Sequence, residues 1–97
     1  SPRGKTCDAI IGIIDESKEV MEDFANSDAL DAGLLAAAQA VEHYEISRYG
    51  TLRTWATQLG LTEAASLLDE TLEEEKRTDT LLSKLATSSV NKQAKAA

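Results

Sequence analysis

Turn-forming residues are scarce: the 97-residue chain has one proline and five glycines. A many-stranded β fold needs more of both. A single cysteine excludes an intrachain disulfide framework and any site built on several thiolates. Aromatic residues make up only 4%, so the apolar 42% is mostly Ala, Leu and Ile, the stock of packed helices. Basic residues are outnumbered, 10 against 17 acidic ones, for a net charge of -7. They form no cluster of the kind that neutralises phosphates, so no nucleic-acid partner is expected. Long apolar runs are missing too: Ala29 to Val41 is broken by Asp31 and Gln39, so no membrane span is expected. Ser1 to Lys5 read as a disordered lead, and Asp8 follows too early for a secretory signal. The expectation is one domain at most, in the cytoplasm.

What is present is helical periodicity. Thr6 is a fair N-cap with Asp8 in the first turn, and Ile10, Ile13, Ile14, Ser17, Met21 and Phe24 recur at three- and four-residue steps. This predicts a helix over about 7–24. Asn26-Ser27-Asp28 offers three caps, and Asp31 completes a capping-box spacing with Asp28. A second helix follows over about 28–59, with Gly33 and Gly50 as weak points. Gly60 is a stop signal, and Thr62 caps a third helix over about 62–88 that fades at Ser88-Ser89. Asn91 to Ala97 lack apolar anchors and are expected to fray. The fold class is therefore all-α: a long helical hairpin, half of a four-helix bundle, behind a shorter helix. So small a chain barely offsets its conformational entropy by burial, so self-association is expected to complete it.

Helical phase locates the chemistry. At about 100° per residue, with Ala38 at zero, Leu34, Glu42, Glu45, Tyr49, Leu52 and Ala56 lie within about 40° of one line. With Thr71 at zero on the third helix, Leu67, Glu75, Thr78, Leu82 and Leu85 do the same, and Asp79 sits at about 80°. The short connection Leu59-Gly60-Leu61 makes the two helices antiparallel neighbours. Glu45 and Glu75 are then level, as are Glu42 and Asp79. Carboxylates in an apolar interior need a proton, a paired charge or a cation. Arg48, Arg53 and Lys84 are off the level or point away, and oxygen donors suit divalent cations. A lone glutamate on such a face more often reaches water. A matched set leaves both readings open, boundary carboxylates or a metal centre.

Other residues carry less. His43 points about 140° away from the stripe, which suits a surface or helix-contact role. Cys7 reads as an inert small residue, Trp55 as a contact anchor, and the serines have no His-Asp set to activate them.

The run Ala36-Ala37-Ala38-Gln39-Ala40-Val41-Glu42-His43-Tyr44-Glu45-Ile46, with Tyr49-Gly50-Thr51-Leu52, resembles the third helix of the YciE/YciF-like ferritin-like stress proteins. Gln58-Leu59-Gly60, Leu67-Leu68 and Glu70 to Lys76 resemble that family's fourth helix and the turn before it, and Pro2 to Cys7 the segment after its second helix. The resemblance implies a four-helix bundle with a di-metal carboxylate centre, iron or manganese, reacting with O₂ or peroxide, in a dimer. It makes Glu42, Glu45, Glu75 and Asp79 the metal ligands and Tyr49 a hydrogen-bond donor behind them. Family members carry two further bundle helices before this segment, so the chain reads as a truncated form with half of the ligands. Two copies could rebuild a bundle. Whether it is an enzyme stays open, and the competing reading is a non-catalytic helical dimerisation module.

Overall fold

The fold comes from a computed structural model that describes residues 4–96. It is all-α: α1 (Asp8–Asp23), α2 (Leu30–Gln58), α3 (Thr62–Leu85) and a short α4 (Asn91–Ala96), with no strand among the described residues. Ser1 to Arg3 of the expected lead, and Ala97, lie outside them.

The hairpin turn follows from one glycine. Gly60 takes a positive φ of 75°, which an L side chain resists. The Leu61 amide then donates to the Ala56 carbonyl at 2.8 Å and the Gly60 amide to Thr57 at 3.1 Å. This paired closure satisfies the last carbonyls of α2 and turns the chain back at once. The expected side-chain caps do not form. Cys7, Ala29 and Leu61 hold the cap positions, none with a side-chain cap bond. Between α1 and α2 the chain closes through its own backbone, Ser27 amide to Phe24 carbonyl and Leu30 amide to Ser27 carbonyl. The Ser27 hydroxyl takes the Ala29 amide at 3.0 Å, and no side chain caps the start of α2. The tight turn at Gly60 makes Thr62 the first helical residue, one position too late to cap.

The C-terminal segment corrects a second expectation. Instead of fading and fraying, α3 passes through a π-helical turn, Ala86–Val90, into α4. The wider turn puts Ala86 and Val90 on one side, where they pack on Leu35 with Ala32 and Leu82 around them. Val90 is the anchor that Asn91 to Ala96 lack.

Helices α1 and α3 pack on opposite sides of α2 and do not touch each other. The molecule is accordingly a slab, 52 × 31 × 16 Å, one helix thick. Among the described residues only Leu35, Ala56, Leu72, Ala86 and Val90 are buried. Gly33 is where α1 comes closest: a Cβ there would lie 2.6 Å from Val20 Cγ1.

Candidate functional site

A ladder of polar contacts fixes the register between α2 and α3. Gln39 Nε2 donates to Ser83 Oγ at 2.8 Å, His43 Nε2 meets Asp79 Oδ1 at 2.8 Å, and Arg53 Nη1 donates to Asp69 Oδ1 at 2.8 Å. Each rung pairs residues equally far along the chain from Leu61, just after the Gly60 turn. The rung between His43 and Arg53 is acidic on both sides. There Glu42, Glu45 and Glu75 converge, each offering a carboxylate oxygen within 4.8 Å of the others.

All three are half-buried. Glu42 Oε2 is buried and has no hydrogen-bond partner. A proton shared with Glu75, then burial, then the Glu75 charge hold the Glu45 carboxyl above the usual carboxylate range. Glu75 is raised as well, first by its contact with Glu42 and then by burial, although its bond to Glu45 pulls the other way. Protonation relieves the repulsion only in part, because the Glu42 oxygen still lacks a donor. The donor set is all oxygen, up to six atoms from three carboxylates, which fits a hard or borderline divalent cation. These residues therefore fit a metal ion by position, by chemistry and by the orphaned oxygen.

The structure brings together three of the four acidic residues singled out in the sequence. Asp79 is not among them. Its Oδ1 is taken by His43 and also lies 3.4 Å from Gln39 Nε2, so the carboxylate is drawn along the seam instead of into the group. Tyr49 sits half-buried one turn beyond Glu45, with no hydrogen bond to the carboxylates among the described residues. His43 makes the helix contact that its phase allowed, and a register argument pairing residues about Leu61 instead of Gly60 would have found Asp79 opposite it. A second polar contact was not legible. Cys7 Sγ lies 3.1 Å from the Tyr44 hydroxyl, tying the start of α1 to α2, and the Arg48 guanidinium stacks 5.2 Å over the Tyr44 ring. The Tyr44 bond, followed by the Ile10 amide, holds the thiol below its ordinary value.

No helix among the described residues is long and apolar enough to cross a membrane. Comparison with known proteins gives a consistent picture. The family model "Domain of unknown function (DUF892)" matches residues 1–95. Protein YciF of Escherichia coli (strain K12) is 57% identical over 88 residues, covering 91% of this chain and 53% of that protein. The crystal structure of the E. coli stress protein YciF matches with a TM-score of 0.86 and 53% identity, over 95% of this chain and 58% of that one. YcfI from Rhodopseudomonas palustris, described as a candidate structural protein, matches with a TM-score of 0.80 and 47% identity, over 86% of this chain and 53% of its own. The chain thus spans about half the length of the relatives it matches.

Proposed function

The chain belongs to the YciE/YciF-like family, DUF892, and from that premise we propose a stress-associated ferritin-like protein whose Glu42, Glu45 and Glu75 hold iron or manganese. The observation that carries the reading is the three-carboxylate rung with the unpartnered Glu42 oxygen. A bound iron or manganese ion would supply a redox couple able to exchange electrons with O₂ or peroxide. The chain's own residues do the rest. Glu45 and Glu75, whose carboxyls are held above the usual range, would bind a cation only as carboxylates, so binding competes with protons at these two groups. Tyr49, on the same stripe one turn from Glu45, would serve as a hydrogen-bond donor to the ligand carboxylates. Asp79, clamped by His43 and Gln39, holds the two helices in register beside the group. Three carboxylates do not saturate two metal ions, so a complete di-metal centre takes further donors from outside this hairpin.

Calorimetric titration of chelator-stripped protein with Mn²⁺ tests the reading. Binding with proton release is expected, and its loss when Glu45 and Glu75 are both replaced by Gln. Unchanged uptake in the double variant would overturn it. The description of the R. palustris relative as structural favours a second reading, in which the rung shares protons and fixes register without metal. Under that reading the double variant is more stable than the parent and Mn²⁺ shifts neither melting curve.

A further inference from the structure

Basic residues are few on this acidic chain, yet helical phase gathers three of them at one point of α3. Five of the ten basic residues lie from Lys76 onward, and Asp79 is the only acidic residue there. Its carboxylate is turned to the seam, 2.8 Å from His43. At about 100° per residue, Thr80 points directly away from Thr71 and the apolar stripe, and Lys76, Arg77 and Lys84 lie within about 60° of it. All four are exposed. Lys76 precedes Thr80 by four residues, Arg77 precedes it by three, and Lys84 follows it by four. Each cation is therefore one helical turn from the same hydroxyl, near enough for the three charged ends to meet above it.

The surroundings favour an anion at that point. Arg77 and Lys84 make no ion pair among the described residues. Glu73, the nearest acid on this face, lies about 10 Å back along α3 and is paired with Lys76 at 3.6 Å. At physiological ionic strength a charge is screened over about 8 Å, so the cations one turn away outweigh the more distant acids. Thr80 turns its hydroxyl to the Lys76 carbonyl at 3.1 Å and forms an uncharged floor. Leu81, 63% exposed, stands beside it. The five residues line an open hollow of about 340 Å³.

Charge and shape select the ligand. A tetrahedral phosphoryl dianion offers an oxygen to each of three cations, and the Arg77 fork can take two of them. A carboxylate has only two oxygens and one charge. Inorganic phosphate fills only part of the hollow and leaves Leu81 uncovered. Lys76 to Lys84 spans only about 12 Å, so the cations serve one phosphoryl group and provide no track for a nucleic-acid strand. We propose that Lys76, Arg77 and Lys84 bind the phosphoryl group of a small phosphate monoester above Thr80, with its organic part resting on Leu81. The site lies on the far side of α3 from the acidic rung and needs no metal.

Titration of the ¹⁵N-labelled chain with phenyl phosphate, in EDTA and at constant ionic strength, tests this through amide chemical shifts. Saturable shifts are expected over residues 76–84. Replacing Arg77 and Lys84 together by Gln, both at exposed positions, is expected to weaken binding about tenfold with unchanged helicity. Lys92→Gln, which removes a charge from α4, is expected to leave binding unchanged. Inorganic phosphate is expected to move the same amides with several-fold weaker affinity. The absence of saturable shifts in α3, or an equal loss from Lys92→Gln, overturns the proposal. Equal affinity for inorganic phosphate overturns the ester as the ligand and assigns the hollow to the free ion.

Discussion

Replacing Glu75 by Gln takes one charge out of the acidic rung and leaves its shape almost unchanged. At the 4.8 Å limit separating these oxygens, two carboxylate charges repel by about 0.9 kcal/mol with water-like screening and by about 3.5 kcal/mol at an effective dielectric of about 20. The residues are half-buried and partly relieved by proton sharing, so a net gain of about 1 kcal/mol is expected at pH 7 in chelator. For a chain this size that is about 4–8 °C in Tm. The Gln amide also offers Glu42 Oε2 the donor it lacks. The pH dependence follows from direction. Glu45 and Glu75 are raised in the fold, so the native state holds protons that the unfolded chain releases. Their contribution is fully present below the ordinary carboxylate range and is lost as the pH climbs through the raised values. The parent Tm should therefore rise as the pH falls from 7 toward the ordinary carboxylate range, and the Glu75→Gln curve should be flatter over the same interval. Far-UV melting curves across that interval, in EDTA, measure this. A variant that melts lower than the parent at pH 7 would refute the reasoning, because Glu75 would then be held by a favourable partner.

Gly33→Ala should destabilise by about 1–3 kcal/mol, since its Cβ would meet the stiff Val20 side chain at 2.6 Å, whereas Gly50→Ala, in open space, should stabilise by up to about 1 kcal/mol; urea midpoints distinguish the signs. Leu72→Ala, at the most buried position of the hairpin seam (2% exposed), should cost about 2–4 kcal/mol in the same assay, more than Leu67→Ala on the open face. Tyr44→Phe removes the hydrogen bond that favours the Cys7 thiolate, so iodoacetamide should alkylate Cys7 several-fold more slowly near neutral pH.

Phase and turn chemistry made the hairpin legible. Gly60 marks the reversal, and residues at matched distances from the turn do meet: Glu45 with Glu75 about Gly60, and Gln39 with Ser83, His43 with Asp79 and Arg53 with Asp69 about Leu61. Three of the four acidic residues come together for that reason. The caps were not legible because the backbone turns at Phe24–Leu30 and at Gly60 put Ala29 and Leu61, which have no side-chain acceptor, at the cap positions. Nor was the C-terminal helix, which depends on Val90 reaching Leu35 through a π turn that no periodicity announces.

The displacement of Asp79 has a more general cause. Apolar phase locates the centre of a stripe, and Ala38 and Thr71 were set there. Away from the turn, however, the helices do not meet along that centre, although Ala56 close to the turn is buried on it. Buried Leu35 and Leu72 put the seam toward one edge, while Ala38 stays exposed. A residue on the shoulder nearest the seam, such as Asp79, then faces the outer rim of the neighbouring helix, where His43 waits. Residues on the opposite shoulder, Leu67 and Leu85, are left uncovered. In this slab the other arm of the hairpin covers one side of the apolar stripe, and the glutamates sit at the edge of that contact.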